Sequence, residues 1–277
     1  MPDKYNPTED EMKAAEAMLT DEQRAMSEER ENDIEKFKPV PIVKVSELIK
    51  GINTENLPDD LEGQAKINMT KIRELGLNEG GDSTSPFTDS LTASFSADLE
   101  SIYKGERKMK ELFSDWKDQI VVDLGAGSYP SAYHIAGKYK AKGFVAVEAF
   151  HPHNLASYFS RAQNPYDRSD KSGINKHSYW YRFPERIPVA IVPEDMLSFL
   201  KRLPDNSVSV YAGNIDLDLI PRKYHNQVAA EIARVLDPNG SFVSAGSDFH
   251  LDKDNDFSVD HFSQGSGGYD IDIFKKK

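Results

Sequence analysis

The chain contains no cysteine. Disulfides, thiolate metal centres and cysteine nucleophiles are therefore excluded, and the composition fits a reducing compartment. It also lacks any apolar run near the roughly 20 residues that a membrane helix needs. Met1-Pro2-Asp3-Lys4 leads into Glu- and Lys-rich sequence rather than an apolar leader. By elimination the expectation is a cytoplasmic protein with no membrane partner. A basic excess is missing as well: 34 Lys and Arg stand against 46 Asp and Glu, a formal net charge of −12. That disfavours a nucleic-acid partner, because neutralising phosphates takes clustered cations. No internal repeat is visible, and nothing sets an oligomeric state. What is present is 277 residues, 38% hydrophobic and 29% charged, enough for one substantial core plus an appended segment.

The pattern divides into a helical arm and linker over 1–96 and a main domain over 97–277. Thr8 with Glu11, and Thr20 with Gln23, have capping-box spacing. Met12, Ala15, Met18 and Leu19 supply a thin apolar stripe. Two readings of this arm stand: an acidic helix lying on the main domain, or an arm that binds a partner or covers substrate. Pro39-Val40-Pro41 breaks it. Short helices are expected over Val45 to Ile49 and Leu61 to Leu75, a Gly/Ser/Thr-rich loop over 80–96, and a helix from about Ala97 to Trp116. Buried strands are then read at Gln119–Asp123, Phe144–Glu148, Ile187–Val192, Val208–Ala212 and Ser241–Ala245. An amphipathic helix over Val228–Leu236 is stopped by Asp237-Pro238-Asn239-Gly240. Apolar strands alternating with helices predict an α/β fold, a Rossmann-like mostly parallel twisted sheet with helices on both faces, plus the N-terminal helical extension.

The informative segment is Val121-Val122-Asp123-Leu124-Gly125-Ala126-Gly127-Ser128-Tyr129-Pro130. A buried strand carries an acid near its end and runs straight into a glycine turn, with a helix opening near Ser131. Gly125 and Gly127 let the backbone turn sharply and approach a ligand, the manner in which α/β sheets hold nucleotides at strand carboxyl ends. A dinucleotide loop would carry a third glycine and would not place Asp123 where pyrophosphate must sit. An acid there suits a cationic cofactor without phosphate, whose carboxylate the helix N-terminus can face. Glu148 ends the next strand, where a carboxylate can accept hydrogen bonds from both ribose hydroxyls.

These residues resemble the class I S-adenosylmethionine-dependent methyltransferases from about Ser114 to Ser247. The first motif is similar to Val121 through Gly127, the second to Val145-Ala146-Val147-Glu148, and the third to Val192-Pro193-Glu194-Asp195-Met196. The resemblance implies that S-adenosyl-L-methionine is the cofactor, that Asp195 contacts the adenine amino group and that Met196 lines the adenine face. Ser207 through Asn214 resembles the family's fourth strand and the turn facing the reacting methyl. Three departures stand out. Tyr129 occupies the place of a third glycine; the connection after Glu148 is long; and after the fifth strand only Tyr269–Phe274 reads as a strand, so the usual final hairpin is expected to be incomplete or paired in an unreadable way.

Methyl transfer needs alignment of acceptor and methyl, and a base where the acceptor carries a proton. Asn214 and Asp216 follow the fourth strand and are the candidate catalytic pair, Asn214 accepting a hydrogen bond and Asp216 acting as base; the other reading is a polar strand-end turn. The Asn/Asp-Pro-Pro-aromatic signature for amino acceptors is absent, since the chain reads Gly213-Asn214-Ile215-Asp216. An insert over about 151–186 holds His151, His153, Trp180 and Arg182. It reads as a substrate lid with stacking rings and an anion-binding arginine, as a hydrophobic cluster anchoring a long loop, or as a nucleic-acid surface that the net charge disfavours. Tyr129, Trp180, Arg182 and His225 are the candidate substrate residues. No metal is expected: the two histidines lack a third ligand. Asp252-Lys253-Asp254-Asn255-Asp256 starts like a calcium loop, but Phe257 and Ser263 stand at its glycine and glutamate positions. The methyl acceptor is expected to be a small molecule or, nearly as readily, a protein. The rivals are a nicotinamide-dependent oxidoreductase and a non-catalytic relative that kept the fold.

Overall fold

The computed structural model describes residues 40–74, 113–127, 131–161, 186–213, 215, 222–245, 249, 251, 256–262 and 271–277. The expected N-terminal arm, the glycine-rich loop and most of the helix before Trp116 lie outside them. The described strands form one seven-stranded sheet of order β3-β2-β1-β4-β5-β7-β6. They are β1 (Ile120–Leu124), β2 (Gly143–Val147), β3 (Val189–Val192), β4 (Ser209–Gly213), β5 (Phe242–Ala245), β6 (Phe257–Phe262) and β7 (Ile271–Lys276). The first five are parallel. The chain leaves β1 toward β2 and β3, then returns to the other side of β1 for β4. This reversal is the switch point outside which α/β proteins hold ligands. The fold is Rossmann-like.

Every residue of β1 and β2 is buried, as expected of parallel strands covered on both faces. Alternation sorts their side chains. Val121, Phe144, Ala146, Tyr211 and Val243 share one face with Trp116, Tyr133, Leu155 and Phe159. Val122, Leu124, Val145, Val147, Val210 and Phe242 share the other with Phe199, Val228, Ile232 and Val235. Burying such side chains contributes about 1.5–3 kcal/mol each, and this holds the site's scaffold rigid. The helices behind them are α1 (Val45–Leu48), α2 (Leu61–Glu74), α3 (Ser131–Lys138), α4 (Pro152–Arg161), α5 (Met196–Leu200) and α6 (Arg222–Val235). None of the described helices is long and apolar enough to cross a membrane.

Two features differ from the sequence expectation. The final hairpin is complete: β7 pairs antiparallel with β5 and with β6. Phe257–Phe262 is a strand that the sequence reading does not include, because Ser258 and Asp260 make one face polar and exposed His261 interrupts the apolar alternation of Phe257 and Val259 on the other. The long connection after Glu148 enters α4 at Pro152, a ten-residue crossover helix whose Leu155 and Phe159 are fully buried.

Residues 40–52 pack onto the sheet. Ile42 bridges Val189 in parallel, the Val43 N–H donates to Val189 O at 2.9 Å, and the Val189 N–H donates to Pro41 O at 2.8 Å. Val45 of α1 and Ile49, which caps it, join the core on the same side. An edge of β3 that would otherwise present unpaired backbone is thereby covered.

Candidate functional site

The site lies where β1, β2 and β3 end. Beyond β1 the chain turns at Gly125 (φ +70°) and Gly127 (φ +61°), conformations that side chains disfavour. The N–H groups of Gly125 and Ala126 donate to Val147 O at 2.9 and 3.1 Å, folding the turn back over the end of β2. Gly125 is exposed and Ala126 buried. A Cβ on Gly125 would make ordinary contact with the Ile215 side chain, at 3.5 Å, and with no other described side chain.

Glu148 follows β2 and is only 7% exposed. Its Oε2 accepts the Gly127 N–H at 2.8 Å, and its Oε1 accepts the N–H groups of Phe150 and His151 at 2.8 and 3.2 Å. A carboxylate offers about four acceptor positions, so one remains on Oε2. Asp123 sits one strand away, 3% exposed, in register with Ala146 of β2 and Tyr211 of β4. Burial, and secondarily the Glu148 charge, push its carboxyl well above the usual carboxylate range. The two acids thus sense each other across the bare glycine backbone.

Beyond β3, Asp195 caps α5: its Oδ1 accepts the Ser198 N–H at 2.9 Å and the Tyr224 hydroxyl at 3.0 Å. Tyr224 in turn accepts the Leu197 N–H at 3.2 Å, and burial, followed by the Asp195 charge, raises its pKa above the ordinary tyrosine value. Asp195 is exposed, and Met196 is half-buried against the core.

Comparison with solved structures finds distant similarities. The chain is similar to 1,6-didemethyltoxoflavin-N1-methyltransferase from Burkholderia thailandensis, solved with 1,6-didemethyltoxoflavin and S-adenosylhomocysteine bound. The match is 14% identical, covers 80% of this chain and 93% of that one, and has a TM-score of 0.40. It is also similar to an rRNA methylase from Streptococcus thermophilus: 11% identity, 61% and 94% coverage, TM-score 0.41. A third is the ribosomal protein L11 methylase from Lactobacillus delbrueckii subsp. bulgaricus: 17% identity, 62% and 78% coverage, TM-score 0.40. No protein-family model matches the sequence, and no curated protein matches it.

Asp123, Gly125, Ala126, Gly127 and Glu148 are gathered at one end of the sheet, with Asp195 and Met196 following the neighbouring strand β3. His225 stands in the first turn of α6, half-buried, its ring 6.2 Å from that of Phe249; its Nε2 is buried without a hydrogen bond. Asn214, Asp216, Tyr129, Trp180 and Arg182 lie outside the described residues. The rings of His151 and His153 are 6.0 Å apart, and no cluster of potential metal ligands occurs among the described residues.

Three residues at the site were not singled out from the sequence. Asn68 of α2 donates through Nδ2 to Ala149 O at 2.9 Å and to Pro193 O at 3.0 Å. Arg202 grips Glu194, Nε to Oε2 at 2.7 Å and Nη2 to Oε1 at 2.6 Å, while its Nη1 donates to Glu55 O at 2.6 Å. Tyr224 completes the set. The one signal for Asn68 was its type: asparagine is a poor residue for a helix interior unless its amide is employed.

Proposed function

We propose that this protein is an S-adenosylmethionine-dependent methyltransferase. The observation that carries the reading is the pair of strand-end acids, Asp123 and Glu148, set about an exposed glycine turn whose backbone Glu148 itself fastens. Chemistry at this position must tolerate two carboxylates and gain from them. A pyrophosphate does neither, and a sulfonium nucleoside bearing an ammonium group does both. When bound, S-adenosylmethionine supplies an electrophilic methyl group.

The residues present suit such a group. The space over Gly125 is one that a Cβ would begin to fill, the free acceptor position on Glu148 Oε2 suits a ribose hydroxyl, and a cation near Asp123 would favour the charged form that burial disfavours. Asp195 and Met196 are the assigned adenine neighbours. Asn214 and Asp216, directly after β4, are the groups assigned to orient the acceptor and to take its proton, with Tyr129, Trp180, Arg182 and His225 on the acceptor side. A small-molecule acceptor is favoured over a protein, since the chain is acidic and carries no nucleic-acid signature. The fold alone does not choose between chemistries.

Calorimetry with S-adenosylhomocysteine and with NAD tests the reading. Binding of the first and not the second is the expected result. Binding of NAD alone assigns the site to an oxidoreductase, and binding of neither assigns it to a relative that kept only the fold.

A further inference from the structure

Strands β2 and β3 pair through Val147 and Val192, and the Glu148 N–H still reaches Val192 O at 3.0 Å. The ladder ends at this bond, and Pro193 is the next residue after β3. Two backbone carbonyls, Ala149 O and Pro193 O, are left at the point where the strands part to open the site, and both need donors. One side-chain amide supplies them. Asn68 Nδ2 donates to each, across 81 and 125 residues of sequence, and its own Oδ1 accepts from Gln64 Nε2 at 2.8 Å, which fixes the orientation of the amide. Each carbonyl lies next to a site acid: Ala149 follows Glu148, and Pro193 precedes Glu194 and Asp195. Helix α2 also packs on α4, the helix that leaves the β2 end.

We propose that Asn68 is a positioning residue of the ligand site: it holds the segments after β2 and β3 at a fixed separation, so that Glu148 and Asp195 meet the same ligand. This rests on the reading that the site takes S-adenosylmethionine. It also makes α2 part of the binding machinery, so that ligand binding and α2 docking stabilise each other reciprocally.

The experiment measures S-adenosylhomocysteine affinity by calorimetry on the full chain for wild type, Asn68→Ala, Asn68→Asp and Lys66→Ala. Lys66 lies on the same helix but is exposed and, among the described residues, pairs with Glu62 alone. N68A is expected to bind about tenfold more weakly. N68D, whose carboxylate would face two carbonyls, should bind at least as weakly as N68A, and K66A should match wild type. N68A should bind at wild-type stoichiometry with reduced affinity; a general loss of structure would instead lower the calorimetric stoichiometry. Hydrogen exchange on the wild type gives an arm that does not depend on any variant folding: backbone amides of residues 61–71 should exchange more slowly when S-adenosylhomocysteine is added.

The outcomes separate the two claims. Absence of wild-type binding overturns the functional reading and this inference with it. Wild-type binding with unchanged N68A affinity, or with no added protection in α2, overturns the inference alone.

Discussion

Glu148 Oε2 accepts the backbone N–H of Gly127 at 2.8 Å, so the acid that ends β2 fastens the crown of the turn that follows β1. The same carboxylate holds Phe150 and His151 through its other oxygen. Replacement by glutamine turns one of those oxygens into an N–H₂ donor, and whichever way the amide flips, it faces a backbone donor. Glu148→Gln is expected to lower unfolding stability by about 1–3 kcal/mol, the range for stranding a buried hydrogen-bonding group. It should also weaken S-adenosylhomocysteine binding by tenfold or more. Urea unfolding and calorimetry read the two effects. A midpoint identical to wild type would show that the carboxylate does not organise the turn.

The turn itself is tested at Gly125. Its φ of +70° costs an L-residue about 1–2 kcal/mol, whereas the added methyl would make only ordinary contact with Ile215, at 3.5 Å. Gly125→Ala should therefore fold with a loss of that size. Because Gly125 is exposed, the methyl also stands where a ligand must approach the backbone, and binding should fall further than the loss of stability accounts for. Wild-type affinity in G125A would remove this turn from the ligand site.

Asp123 carries a pH prediction. Its folded-state pKa is raised, by burial first and by the Glu148 charge second, so the native protein retains a proton there that the unfolded chain gives up. Between the unfolded carboxylate value and the raised native one, the native state binds more protons, and stability falls as pH increases. Asp123→Asn removes that dependence. The variant should be more stable than wild type at neutral pH, by about 2–4 °C in Tm for each 1 kcal/mol gained, and the difference should shrink toward pH 4. A cationic ligand draws the same proton off, so wild-type affinity should rise with pH, and D123N should bind more weakly despite its stability. Thermal melts and calorimetry from pH 4 to 8 read both. A D123N protein less stable than wild type at every pH would refute the account.

What the sequence made legible follows from the range of each interaction. Val121 to Gly127 and Val145 to Glu148 announce themselves, because buried parallel strands are short apolar runs and the residues that end them are contiguous with them. Five parallel strands were located within a residue or two on that basis. Strand β6 escaped because only Phe257 among its described side chains is buried, so alternation is faint in a hairpin edge. The start of the insert was read for its histidines, although Leu155 and Phe159 at helical spacing carry the packing. Asn68 and Arg202 act across 81 to 149 residues of sequence, through one amide and one guanidinium, and no local pattern encodes such a partner.

Arg202 supplies the last test. Its bidentate pair with Glu194 leaves the two side chains 16% and 11% exposed, and the same guanidinium donates to the carbonyls of Asn53 and Glu55. One cation thus joins the segment before α2 to the residue preceding Asp195. Removing it strands a largely buried carboxylate, and Arg202→Ala is expected to lose about 2–3 kcal/mol. Arg202→Lys should recover little, since an ammonium cannot make the paired contact and reach the carbonyls together. The Lys66–Glu62 pair, exposed at 74% and 71%, is the comparison: its removal should leave the midpoint at wild type, and its contribution should vanish in high salt, whereas the Arg202 effect should persist. Hydrogen exchange over residues 53–57 should quicken in R202A and stay unchanged in K66A. If R202A unfolds at the wild-type midpoint and its 53–57 amides exchange no faster, the segment is held by the backbone bond from Asn53 N–H to Arg202 O rather than by the guanidinium, and the loop bearing Asp195 takes its position from the Tyr224 hydroxyl rather than from this ion pair.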